Sequence, residues 1–195
     1  MHRFRTLLTT TAVVAAGTIV VAAARPLLQE EHEMPPMPQP TTEHVEMQKA
    51  VGEWKGTLTM FGPGMPTEPV AATETMTAFG PFWTLSEFHC DFMGMPYQGH
   101  GCSGFDAEKG KYTGIWIDNM SSYLSVMEGE RNEETGMITM HWEAPDMTGE
   151  IVPHRYEMTP TGDSYTSTFF TNGVKSMVIS MKRTSAKPTE AGAKK

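Results

Sequence analysis

From Glu53 onwards the chain is a succession of short segments in which apolar and polar residues alternate, each ended by Gly, Pro, Asn or Asp. Alternation with a period of two is typical of half-buried β-strands, and this region shows no sustained 3.6-residue period of an amphipathic helix. The pattern predicts ten strands, at residues 53–61, 69–78, 81–92, 97–105, 111–118, 122–129, 136–143, 150–158, 163–171 and 174–183.

Short links between these segments indicate antiparallel neighbours in an up-and-down meander. Asn172-Gly173 is the clearest turn signal, because a type I′ turn needs positive φ at both positions; it predicts pairing of Thr171 with Val174 and of Phe170 with Lys175. A sheet of this size must close or stack to remove its edges. The sequence therefore predicts an all-β, roughly ten-stranded antiparallel barrel, preceded by a short helix at residues 43–51 that Thr41 or Thr42 would cap.

The segments outside the strands predict an exported protein. Residues 1–24 combine a basic start with an uncharged stretch and small residues at its end, which is typical of a secretory signal peptide. Cleavage would send the protein to the periplasm or the outside; the alternative is a retained N-terminal anchor. The remaining divisions are a Pro-rich leader at 25–42, a barrel domain at 43–184 and a disordered tail at 185–195.

Composition disfavours some partners. The formal net charge is −8, and an acidic surface repels phosphate backbones, so we expect no nucleic-acid partner. Once the signal is removed, we expect no stable membrane insertion. In the leader, His32, Met34 and Met37 are soft ligands that suit copper, but we interpret the leader as a spacer.

Several motifs resemble a known family. Gly52-Glu53-Trp54 looks like the G-x-W opening of lipocalin-like calycin barrels, and Arg183 resembles the basic residue that those barrels lay over this Trp, a cation–π contact. In order and spacing, residues 37–44, 51–54, 104–106, 111–112 and 116–118 resemble the uncharacterised bacterial family called domain of unknown function 1579. The resemblance implies a lipocalin-like barrel and no established activity.

The mixed faces of the strands favour a lumen that binds a small apolar or amphipathic ligand. In the last hairpin we place Phe170 on one face with Met177, Ile179 and Met181. The candidate lumen residues are Trp54, Trp116, Trp142, His154, Phe170, Met177 and Arg183.

Two other functions stay open. The first is an enzyme that uses polar lumen residues such as His154 and Arg155; we name no catalytic residues, because no nucleophile motif is present. Further polar candidates are Glu87, Glu128, His141 and Glu143. The second is a barrel filled with side chains that acts as a structural or interaction scaffold.

Cys90 and Cys102 are the two cysteines of the chain. A hairpin centred near residue 96 would set them opposite each other on one face, which predicts a disulfide in an exported protein. A zinc site that adds His100 is the disfavoured alternative, because zinc needs a fourth ligand or an open position. We also disfavour haem, since nitrobindins hold haem through a His near the chain end and this chain has none after His154.

Gly99, Gly101 and Gly104 match the G-x-G-x-x-G nucleotide-binding pattern. That pattern requires a following helix in a βαβ unit, and here another strand follows. We therefore interpret these glycines as relief of crowding at a bend of the barrel.

Overall fold

Ten antiparallel strands and one short helix form the part of the chain that the structure, a computed structural model, describes: residues 36–66 and 68–185. The elements are α1 (Thr42–Gln48), β1 (Gly52–Met60), β2 (Val70–Phe79), β3 (Trp83–Phe92), β4 (Met95–Asp106), β5 (Lys111–Asp118), β6 (Ser125–Arg131), β7 (Ile138–Pro145), β8 (Ile151–Pro160), β9 (Ser164–Thr171) and β10 (Val174–Ser185). The predicted signal peptide, and the predicted tail beyond Ser185, lie outside the described residues.

The strands form a closed barrel in which each one pairs with its neighbours in sequence. The seam is the pairing of β1 with β10, where Trp54 lies opposite Arg183 and Met60 opposite Met177. The predicted all-β antiparallel barrel with a short N-terminal helix is therefore confirmed. Within the described residues no helix is both long and apolar enough to cross a membrane.

Two hairpins turn through consecutive residues with positive φ. Asn172 and Gly173 have φ of 49° and 77°, and the predicted pairing of Thr171 with Val174 is present. Met93 and Gly94, with φ of 55° and 83°, make the same kind of turn between β3 and β4. Glycine and asparagine tolerate this left-handed region, whereas Met93 adopts it at a steric cost.

A β-bulge in the last hairpin corrects one of our predictions. The register of β10 against β9 shifts between Lys175 and Met177, so Met177 lies opposite Phe169 and not beside Phe170. An extra residue in one strand reverses which side chains share a face. The lumen face of β9 therefore carries Phe169, and Phe170 points outward.

The helix α1 lies against β3 and β4 at one end of the barrel, which we call the helix end. Its buried His44 accepts a hydrogen bond at Nδ1 from the Thr41 backbone N–H (3.0 Å), and its ring meets the edges of Phe82 and Phe105. Gln48 donates to the Trp83 carbonyl oxygen at 3.1 Å. These contacts fix the helix at that end; we call the opposite end, where β1 finishes and β2 begins, the far end.

Candidate functional site

The barrel encloses a cavity of about 850 Å³. This volume lies within the range of about 300–1,000 Å³ that is usual for small-molecule sites. Its lining includes many inward-facing aromatic and methionine side chains of the strands. Among them are Trp54, Trp116, Trp142, Met127, Met140 and Met177.

Glycines on β4 make room for the Trp116 indole. A Cβ atom on Gly99 would lie 2.1 Å from Cζ2 of Trp116, and one on Gly101 would lie 3.1 Å from its Cε3. The indole N–H donates to the Tyr97 hydroxyl at 3.1 Å. At the third glycine of the motif, Gly104, a Cβ atom would lie 2.4 Å from Cε3 of Trp83, so this glycine makes room for the Trp83 indole. These glycines therefore accommodate tryptophan side chains across neighbouring strands.

Trp54 and Arg183 lie at the helix end of the lumen. The Arg183 guanidinium carbon lies 4.3 Å from the centre of the Trp54 ring, as the resemblance predicted. Arg183 also donates to the carbonyl oxygens of Val51 and Lys49 and to the carboxylate of Asp163. Trp54 itself is 3% exposed, and these contacts hold its indole in the cavity wall.

Trp142 and His154 stack on each other nearer the far end, with ring centroids 5.3 Å apart. The His154 Nε2 lies 3.2 Å from the Ala144 carbonyl oxygen, which can only accept, so Nε2 carries a proton. The Thr171 hydroxyl lies 3.3 Å from Nδ1. Burial lowers the pKa of His154, which favours the neutral ring.

Glu74 is a carboxyl group buried in the middle of the lumen. The Tyr165 hydroxyl donates to its Oε2, and Ser86 is a second hydrogen-bonding partner. Desolvation raises the pKa of Glu74 to about 7, although both hydrogen bonds act in the opposite direction. Burial likewise raises the pKa of Tyr165. The lumen therefore holds an acid that titrates near neutrality among aromatic rings.

Most of the predicted lumen residues line the cavity. They are Trp54, Trp116, Trp142, His154, Met177 and Arg183. Phe170 does not, because the bulge in β10 leaves it on the outer face, where the Arg155 guanidinium lies 4.1 Å from its ring centre.

Apart from His154, the polar candidates for catalysis lie outside the cavity. Glu87 pairs with His89 at 2.8 Å, Glu128 pairs with Lys109, and Arg155 pairs with Glu157 at 3.2 Å. His141 and Glu143 are exposed. Glu74 is not among the residues predicted from the sequence, although a signal is present: Glu74 is the charged residue in the otherwise apolar row 70, 72, 74, 76 and 78 of β2.

The predicted disulfide is wrong: both cysteines are free. The turn at Met93-Gly94 places Cys90 opposite Tyr97 and Cys102 opposite Leu85. Compared with a hairpin centred at residue 96, this register is shifted by an odd number of positions, which moves one cysteine to the other face. Cys90 lines the lumen, whereas Cys102 lies on the outer face, so the alternative zinc set with His100 does not assemble either.

Comparisons with known proteins agree with this architecture. The crystal structure of Rv2717c from M. tuberculosis superposes with a TM-score of 0.55 at 11% sequence identity, over 74% of this chain and 99% of that chain. At that identity the likeness shows the fold alone. No curated protein matches the sequence.

The family comparison covers most of the barrel. The family described as "protein of unknown function (DUF1579)" matches residues 39–180, which run from the residues before α1 into β10. The matched range includes the lumen strands and the G-x-W segment at Gly52. The chain belongs to this family.

Proposed function

We propose that this protein binds a small apolar or amphipathic molecule inside its barrel. The observation that carries the proposal is the cavity of about 850 Å³ with its aromatic and methionine walls. Methionine side chains adapt to different shapes, and aromatic rings offer large apolar contact areas. An empty volume of this size also argues against a barrel filled with side chains.

The test is native mass spectrometry of protein purified from its own host, together with titration of an apolar fluorescent probe, N-phenylnaphthylamine. We expect a co-purifying mass that is released on denaturation, and saturable probe binding. Ser167→Phe should abolish probe binding, because Ser167 is buried and faces the lumen. Thr166→Phe, at the exposed neighbouring position, is the matched control. Absence of both a released mass and probe binding in the folded protein would refute the proposal.

We also infer that the barrel is of the calycin type and that the chain is exported. The contact between Trp54 and Arg183 supports the first inference. The composition of residues 1–24 supports the second. Cell fractionation with mass analysis of the mature N-terminus tests export: we expect periplasmic or extracellular protein that begins near Arg25, and cytoplasmic protein that retains Met1 would contradict it.

A catalytic use of the same lumen is the second candidate, because titratable groups lie inside the barrel. Glu74 and Tyr165 share a hydrogen bond and could act as an acid–base pair. His154, however, contacts the Ala144 carbonyl oxygen and the Thr171 hydroxyl, and none of its described hydrogen bonds joins it to an orienting carboxylate. Incubating the co-purified compound with the protein distinguishes the two: a catalyst changes the compound's mass, and Glu74→Gln stops that change.

A further inference from the structure

We propose that the lumen selects an apolar molecule that carries a protonated amine, with the ammonium group held against the Glu74 carboxylate. This inference rests on the proposed function and names the chemical class of the ligand. The surroundings of Glu74, the distribution of charge inside the barrel and the charge of the far end support it.

Two hydroxyl groups are arranged around the Glu74 carboxyl. Tyr165 on β9 donates to Oε2, and Ser86 on β3 forms the second hydrogen bond. An ionised carboxylate accepts several such bonds at once, so this arrangement suits the charged form. The remaining lone pairs can accept from an N–H donor of a ligand.

No cationic side chain of the described residues forms an ion pair with Glu74. A carboxylate that is buried without a counter-charge is costly, and an opposite charge brought beside it restores the ionised form. Glu74 therefore lies in the lumen without a positively charged partner among the described side chains.

Cations near the lumen, by contrast, already have acidic neighbours at the helix end. Lys49 pairs with Glu46 at 2.5 Å, and Arg183 bonds Asp163 at 3.0 Å. Arg131 interacts electrostatically with Glu43. A ligand carboxylate would therefore compete with these acidic residues for the cations. A ligand ammonium would meet no competing cationic side chain at Glu74.

Aromatic rings surround the same position. Glu74 lies directly opposite Trp54 on β1 and Phe88 on β3, and Tyr156 is close enough for its phenol to interact with the carboxylate charge. A cation is attracted to the faces of such rings, most strongly when it is desolvated. A carboxylate flanked by aromatic faces recognises an ammonium group better than a neutral or anionic one.

The far end of the barrel carries negative charge. Its five connections, at 61–69, 93–94, 119–124, 146–150 and 172–173, contain Glu68, Asp146 and Glu150 but no lysine or arginine. The adjoining strand ends add two acidic residues, Asp91 and Asp118, and one basic residue, Lys175. Acidic side chains at this rim raise the local concentration of cations there.

The experiment uses three ligands with the same twelve-carbon chain and different head groups: dodecylamine, dodecanol and dodecanoate. Binding to the full-length protein is followed through the fluorescence of the lumen tryptophans at concentrations below micelle formation. At neutral pH we expect dodecylamine to bind about tenfold or more tightly than dodecanoate. In Glu74→Gln that preference should vanish, while dodecanol affinity stays within about twofold of the wild type.

The control is Glu53→Gln, which changes an exposed glutamate on β1 and should leave all three affinities unchanged. Circular dichroism of each variant checks the fold. If dodecanol binds but dodecylamine is not preferred, or if Glu74→Gln keeps the amine preference, the inference is wrong and the proposed function stands. If none of the three ligands binds to the folded wild type, the proposed function itself fails.

A pH titration of the wild-type protein gives an independent measurement. The titratable groups that face Glu74 are Tyr165 and Tyr156, while β1 and β3 present Trp54, Ser86 and Phe88, which do not titrate. Amine affinity should therefore fall as the pH drops from about 8 to about 5 and Glu74 takes up a proton. An amine affinity that stays constant or rises over this range would overturn the inference.

Discussion

At the scale of single residues, the shape of the lumen depends on side chains that are missing. Gly99 and Gly101 face inward on β4, and the Trp116 ring occupies the space where their side chains would be. A large ring can lie flat against a neighbouring strand only where that strand offers no Cβ atom. Tryptophan and glycine on adjacent strands therefore act as one unit of the lumen wall.

Gly99→Ala should destabilise the fold by about 1–3 kcal/mol, because the added methyl group overlaps the Trp116 ring and forces it to move. Urea denaturation measures the change. Gly114→Ala on β5 is the control, because its added Cβ atom would lie 3.1 Å from the nearest atom, the Cys102 carbonyl oxygen. The φ angle of Gly114 is also not positive. Combining Gly99→Ala with Trp116→Leu should recover part of the loss; equal stability of both glycine variants would contradict this account.

Glu74 should make the stability of the protein depend on pH. Its pKa is raised to about 7 in the folded state, so between about pH 4.5 and pH 7 the folded state holds a proton that the unfolded state has lost. Stability from this group is therefore present at low pH and is lost as the pH rises through 7. The total loss is on the order of 3 kcal/mol.

Glu74→Gln removes this titration. Denaturation of both proteins between about pH 5 and pH 8 should show the variant gaining stability relative to the wild type as the pH rises. Taking the difference between the two proteins cancels groups such as His154, whose pKa is lowered and whose contribution has the opposite sign. A difference that does not change with pH would show that Glu74 keeps an ordinary pKa.

Alternation of residue types places Glu74 in an apolar row of β2, but it does not show that the carboxyl group is buried. A glutamate in a strand is usually solvated, and the six polar strand residues considered as lumen groups were equally plausible. What distinguishes Glu74 is its register against Trp54 and Phe88, which depends on the lengths of two hairpins at once. By contrast, the contact between Trp54 and Arg183 was predictable, because these residues resemble the G-x-W opening and the covering basic residue of calycin barrels.

At the scale of elements, turn chemistry decided which registers were predictable. Asn172-Gly173 is a strong turn signal, and the two predicted pairs beside it, Thr171 with Val174 and Phe170 with Lys175, are present. The β3–β4 hairpin turns at Met93-Gly94, where Met93 adopts a conformation that its residue type disfavours, so the sequence pointed to Pro96 instead. That displacement removed the disulfide, and the bulge before Met177 moved Phe170 out of the lumen.

The seam between β1 and β10 depends on Arg183. Arg183→Gln loses the contact with Trp54 and the hydrogen bonds to Val51, Lys49 and Asp163, so we expect a loss of about 2–4 kcal/mol. Urea denaturation gives the free energy. Lys182→Gln, the exposed neighbour on the same strand, should change it by less than about 0.5 kcal/mol. Similar losses for the two variants would mean that Arg183 does not secure the seam.

At the scale of the whole molecule, the closed wall separates two chemical environments. Cys90 faces the lumen and Cys102 the solvent, although both are free thiols of neighbouring strands. Desolvation raises the pKa of both thiols, which slows their reaction at neutral pH. The two cysteines therefore report separately on the inside and the outside of the barrel.

Filling the lumen should protect Cys90 and leave Cys102 unchanged. Alkylation by iodoacetamide at mildly alkaline pH, followed by peptide mass analysis, measures the two rates in the presence and absence of dodecanol. We expect slower modification of Cys90 alone, and Cys90→Ser and Cys102→Ser identify each signal. Equal protection of both thiols would indicate a change outside the lumen, and protection of neither would indicate an empty barrel.

The order of the strands has a consequence for how the chain can be rewired. Every strand lies beside its neighbours in sequence, and β10 lies beside β1, so the order of strands is a ring. Cutting the chain in the loop at 146–150 and bridging from Ser185 back to Thr42 would reproduce every pairing of that ring. Circular permutation therefore leaves the lumen, its glutamate and its tryptophans in place while it moves the ends of the polypeptide to the opposite rim.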